Sequence, residues 1–214
     1  MKFKFDKNML TLYAITDRKC NSKFTLFDMV DFALQGGATI VQLREKELDE
    51  RAFAKEASII KRVCHRYGVP LIINDNLEVA LKSGADGVHV GLDDMPIDEI
   101  RRQTGSDFII GATAKTVLQA QNAQKLGADY LGVGAVFPSS TKADAKRITK
   151  EQLIEISNSV NVPIVAIGGI TLENAHTLND SGISGIAVVS SLFAAEDIKK
   201  AAEDLRKISE TIIQ

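Results

Sequence analysis

The chain is poor in thiols: cysteine occurs only as Cys20 and Cys64. Neither has a second thiol at the spacing of a metal knuckle or a redox pair, so both are expected to be reduced and no disulfide scaffold is available. Long apolar runs are also missing, and the opening residues Met1-Lys2-Phe3-Lys4-Phe5-Asp6-Lys7 are too charged for a secretory signal. The expectation is a cytoplasmic protein without a membrane span. Nor is there a surplus of basic residues. Lys plus Arg number 26 against 28 Asp plus Glu, and a net charge of −2 provides no general field for a polyanion, which argues against nucleic acid as a partner. A nucleophile paired with a base is lacking too, which disfavours a hydrolase triad.

What is present is ordinary globular composition, 45% apolar and 25% charged over 214 residues, enough for one substantial core. Short β-rich apolar runs recur between longer stretches of helical spacing. They cover 10–15, 39–43, 70–73, 87–90, 108–111, 130–133, 163–167 and 185–189. Each is followed by a candidate helix. The last helix is the clearest, with Ile198, Ala201, Ala202, Leu205, Ile208 and Ile212 at steps of three and four. Gly37, Gly84, Gly127 and Gly182 each precede an apolar strand, where a left-handed residue closes a helix and reverses the chain. Thr149 with Gln152 reads as a capping box, and Pro96 suits the first turn of a helix after Asp93 and Asp94. Eight βα units without a linker predict an α/β fold, a (β/α)₈ TIM barrel formed by residues 1–214 as one domain. An open doubly wound sheet is the structural alternative.

In such a barrel the loops after the strands build the active site. The second strand ends in Gln42, Arg44 and Lys46, which a two-residue period places on one side; Lys46 alone reads equally well as a surface ion-pair partner. The third strand ends at Asn74-Asp75, and the fourth leads through His89 to Asp93 and Asp94. Carboxylates emerging from adjacent strands suit a hard divalent cation such as Mg²⁺, although one of the Asp93/Asp94 pair is expected to cap the following helix. The sixth strand runs into an aperiodic stretch from Phe137 to Arg147 that suits a lid carrying Ser139, Thr141 and Lys142. Gly168-Gly169 and Val189-Ser190-Ser191 close the seventh and eighth strands, where barrels often hold a phosphate against backbone amides. Of the three histidines, His65 and His176 are expected on helix surfaces, and His89 as a satisfied barrel residue.

Taken in order, Gln42-Leu43-Arg44-Glu45-Lys46, Ile73-Asn74-Asp75, Gly87-Val88-His89-Val90-Gly91-Leu92-Asp93-Asp94, Pro138-Ser139-Ser140-Thr141-Lys142 and Ala166-Ile167-Gly168-Gly169-Ile170 resemble the thiamine-phosphate synthase family. The resemblance spans nearly the whole chain. It implies a Mg²⁺-dependent transferase in which hydroxymethylpyrimidine diphosphate loses pyrophosphate to the ring nitrogen of hydroxyethylthiazole phosphate, with the carbon–oxygen bond breaking largely first. By the same resemblance Asp75 and Asp94 bind Mg²⁺, and Arg44, Lys46, Asn74 and Lys142 contact the diphosphate. Gln42 and Thr113 lie near the pyrimidine, and Thr141, Gly169, Val189 and Ser190 hold the thiazole phosphate. Thr113 and Ser139 depart from the family's commoner Ser and Thr, and both keep a hydroxyl. The rival readings are an isomerase resembling thiazole tautomerase, for which Lys115 is a poor acid/base candidate, and a noncatalytic sensor of phosphate ligands.

Overall fold

A computed structural model describes residues 3–138 and 147–213. Eight parallel strands close into a barrel in sequence order: β1 (Leu12–Ile15), β2 (Ile40–Leu43), β3 (Leu71–Asn74), β4 (Gly87–Val90), β5 (Ile109–Ala114), β6 (Tyr130–Gly134), β7 (Ile164–Ile167) and β8 (Gly185–Val188). Pairing of β8 with β1, through Leu12↔Ile186 and Tyr13↔Ala187, completes the circle and excludes the open sheet.

Alternation along the strands separates two apolar layers. Tyr13, Ile40, Ile72, Ile109, Tyr130 and Val165 turn inward and fill the barrel. Their neighbours Ala14, Val41, Leu71, Ile110, Leu131 and Ile164 turn outward against the helices. A strand buried on both faces reads as a continuous apolar run, which is why periodicity found these segments but did not say which residues face the lumen.

The outer layer is α1 (Leu26–Gln35), α2 (Glu50–Arg66), α3 (Leu77–Ser83), α4 (Ile97–Thr104), α5 (Val117–Leu126), α6 (Lys150–Asn158), a short α7 (Ser190–Phe193) and α8 (Ile198–Ile212). In α2 the Asp49 side chain accepts the Ala52 amide, and Phe53, Ala57, Ile60 and Cys64 form the buried stripe. On α8 Ile198, Ala202, Leu205 and Ile212 are buried and Ala201 and Ile208 partly so, as the spacing predicts. The Thr149–Gln152 capping box forms, with both reciprocal bonds present.

Three expectations need correction. After β7 there is no α-helix but a 3₁₀ turn, Ala175–Leu178, because Asn174 folds back to accept the Thr171 amide and donate to the Gly169 carbonyl. Neither Asp93 nor Asp94 caps α4: its N-cap is Pro96, without a side-chain bond. His65 is not a free surface residue; its side chain is mostly buried and its Nε2 lies 2.8 Å from Asp86 Oδ2. The 3₁₀-turn His176 is exposed, as expected.

Candidate active site

At the carboxyl ends of the strands the barrel opens into a cavity of about 420 Å³ to which all eight strands contribute. Two walls differ in kind.

The wall from β2 to β4 is built from side chains. Gln42, 3% exposed, and Arg44 project into the cavity from alternate positions, as the two-residue period requires. The Arg44 amide is anchored on Thr16 Oγ1, whereas its guanidinium has no ion pair among the described residues. Beside it Asn74 lines the cavity and donates to Asp75 Oδ1 at 2.6 Å. Asp75 has a left-handed backbone, φ 62°, with its amide bonded to the His89 carbonyl, and Lys46 Nζ reaches its Oδ2 at 2.7 Å. Lys46, Asp75 and Asp94 therefore stand beside the cavity rather than in its lining. Asp94 turns back over the end of β4, where its Oδ2 accepts the Gly91 amide at 2.7 Å.

These two carboxylates fit a hard cation by their donor chemistry. They are oxygen donors at the ends of neighbouring strands. No cluster of three His, Cys, Asp or Glu occurs among the described residues. A cation held by them would need phosphate or water oxygens besides, which Mg²⁺ accepts more readily than zinc.

The wall from β7 to β8 is mostly backbone. Gly168 and Gly169 both have positive φ, 101° and 64°, and the β6–α6 connection lies directly on them: Phe137 donates to the Gly168 carbonyl, and a Cβ on Gly169 would fall 2.1 Å from the Pro138 oxygen. Val189 and Ser190 complete the wall as α7 begins. The adjacent Ser191 also lines the cavity, and its Oγ is buried with no hydrogen-bond partner among the described residues. An orphaned buried hydroxyl costs about 1–3 kcal/mol unless something satisfies it.

The floor between these walls is polar and closed. Thr113 lines it from β5, which runs further than the sequence suggested, and its Oγ1 lies 3.1 Å from His89 Nε2. His89 is 9% exposed, and burial pushes its pKa down to about 4, with Asp94 opposing the shift. It is a satisfied barrel residue, as expected, and also a cavity residue.

Of the residues singled out from sequence, Gln42, Arg44, Asn74, Thr113, Gly169, Val189 and Ser190 meet in one cavity, and Lys46, Asp75 and Asp94 flank it. Ser139, Thr141 and Lys142 lie outside the described residues. Sequence reasoning missed Tyr13 and Thr171, which also line the site together with Ser191, named beside Ser190, and Lys115, weighed only as a poor acid/base candidate. Tyr13 was hidden inside an apolar strand. Ser191 carried the signal of a second hydroxyl after Ser190.

The family model described as thiamine monophosphate synthase matches residues 12–192. A thiamine-phosphate synthase of Ruminiclostridium cellulolyticum is 49% identical over 208 residues, covering 97% of this chain and 98% of that protein. One from Methanobrevibacter smithii is 46% identical over 198 residues, covering 92% and 94%. Among solved structures, the thiamine phosphate pyrophosphorylase of Pyrococcus furiosus superposes with a TM-score of 0.89 at 40% identity, covering 97% of this chain and 99% of that one.

Proposed function

The chain belongs to the thiamine monophosphate synthase family and is a transferase with thiamine-phosphate synthase activity, and from that premise we propose how its barrel mouth carries out the reaction. The hydroxymethylpyrimidine group leaves its diphosphate and joins the ring nitrogen of hydroxyethylthiazole phosphate. The carbon–oxygen bond breaks with its electron pair going to pyrophosphate, and the nitrogen lone pair forms the new bond. No proton has to be moved for the first step, which accords with a site whose one histidine is held neutral.

The observation that carries this reading is the Arg44 guanidinium, without an ion pair among the described residues, beside Asn74 and across the barrel from a wall of glycine backbone and serine. One wall suits a diphosphate and the other a monophosphate. Arg44, Asn74 and Lys46, with Lys142 from the β6–α6 connection, hold the departing diphosphate and stabilise the charge it gathers. Asp75 and Asp94 hold Mg²⁺, which when bound supplies further neutralisation of the leaving group. Lys46 is then shared between Asp75 and the diphosphate, so its ion pair orients both. Gln42 and Thr113 position the pyrimidine on the floor. Gly169, Val189 and Ser190, with Ser139 and Thr141, hold the thiazole phosphate through backbone amides and hydroxyls. The reduced cysteines expected from their separation agree with a cytoplasmic setting, and among the described residues no helix is long and apolar enough to cross a membrane.

The test is pyrophosphate release by the purified protein given both substrates, with and without a chelator. Release that needs both substrates and the metal is the expected result. Binding of both phosphates without release would leave only the sensor.

A further inference from the structure

Beneath the cavity, five side chains from five strands form one hydrogen-bonded chain. Gln42 Nε2 lies 2.8 Å from Tyr13 Oη, Tyr13 Oη 2.7 Å from Tyr130 Oη, Tyr130 Oη 3.2 Å from His89 Nδ1, and His89 Nε2 3.1 Å from Thr113 Oγ1. Space for it is built into the neighbouring strands. At Gly111 a Cβ would fall 2.3 Å from Tyr130 Oη and 2.5 Å from His89 Nδ1, and at Gly132 a Cβ would lie 3.0 Å from His89 Cε1. From below, Phe5 stacks on the Tyr130 ring at 5.7 Å.

Such a chain has a direction. An amide nitrogen only donates, so Tyr13 accepts from Gln42 and its own hydrogen goes to Tyr130. Tyr130 in turn gives its hydrogen to His89 Nδ1. A neutral imidazole accepting at Nδ1 carries its hydrogen on Nε2, and that hydrogen goes to Thr113 Oγ1. The reverse order would strand the Tyr13 hydrogen inside a residue only 1% exposed, at about 1–3 kcal/mol.

We propose that Tyr13, Tyr130 and His89 are positioning residues that fix the Thr113 hydroxyl as a donor into the cavity, so that the floor selects a heteroaromatic ring presenting a nitrogen lone pair. This rests on the reading that Gln42 and Thr113 meet the pyrimidine. A bond donated to a ring nitrogen draws electron density out of the ring, and so it does nothing for the cation that develops as the diphosphate departs. The chain therefore acts on binding and not on bond breaking.

Two measurements test it. In the unmodified protein labelled with ¹⁵N-histidine, the three histidines are resolved by NMR and His89→Gln assigns the resonance of interest. A proton on Nε2 is expected, and a proton on Nδ1 overturns the proposal. This reading needs no substrate, so it decides the direction even if the protein releases no pyrophosphate, an outcome that would sink the functional reading instead. In Tyr130→Phe, which keeps the ring on Phe5, KM for the pyrimidine diphosphate should rise up to about tenfold, the scale of one hydrogen bond, while kcat and KM for the thiazole phosphate stay unchanged. Tyr13→Phe should do the same. An unchanged pyrimidine KM in both variants, or a parallel loss in kcat, overturns it.

Discussion

The two walls of the cavity offer a phosphate different things. From β2 to β4 it offers charged and amide side chains: Arg44 has no ion pair among the described residues, and Lys46 and Asn74 converge on Asp75. From β7 to β8 the surface is glycine backbone and serine, and what matters is the side chain that is missing. A side chain on the first wall should be removable without disturbing the fold, because the Arg44 guanidinium has no ion pair or hydrogen bond among the described residues. Backbone recognition is inseparable from the fold, because Gly169 is also where the β6–α6 connection rests.

The strongest way to break that contrast is Arg44→Ala. Turnover at saturating substrate should fall by about 10²–10³, the usual scale for removing one preorganised electrostatic group, with the melting temperature unchanged. A large loss of stability would show that Arg44 is structural. Asp75→Asn should lower the metal-dependent rate by about tenfold or more, since it removes a charged ligand. Asn tolerates the left-handed backbone at this position, and the Lys46 pair it disrupts is half exposed, so the thermal midpoint should barely move. A rate that keeps its metal dependence would take Asp75 out of the site.

Gly169→Ala should behave in the opposite manner. Its Cβ meets the Pro138 oxygen, and its φ is positive, so stability should fall by about 1–3 kcal/mol in denaturant titration together with a rise in KM for the thiazole phosphate. A change in the pyrimidine KM alone would erase the distinction between the walls. Smallest in effect, Ser191→Ala removes an unpartnered hydroxyl, so stability should hold or rise slightly while KM for the thiazole phosphate increases a few-fold. Unaltered kinetics would show that the hydroxyl faces no ligand.

These residues also mark how far the sequence could be read. Arg44 was legible because a cation two positions after Gln42 in an apolar strand has no place in a packed lumen. Gly168-Gly169 was legible as a turn and as a candidate phosphate site; its closeness to Pro138 depends on a segment about thirty residues earlier in the chain. Asp94 was ambiguous between helix cap and ligand, and the bond from the Gly91 amide shows that it does not cap α4. Tyr13 and Tyr130 were not legible at all. An inward tyrosine in a strand buried on both faces looks like any other core residue, since nothing local records what lies across the lumen.

By itself the sequence determined the period of its elements, the positions of most strands and helices, and the polar residues that end those strands. These follow from local rules, namely side-chain alternation, capping chemistry and turn-forming glycine. Only the tertiary structure decided that the sheet closes, that Gln42, Tyr13, Tyr130, His89 and Thr113 become one chain, and that the Ser191 hydroxyl has no partner among the described residues. Those contacts join residues from separate strands, and they exist only once burial has excluded the water that would otherwise satisfy each group separately.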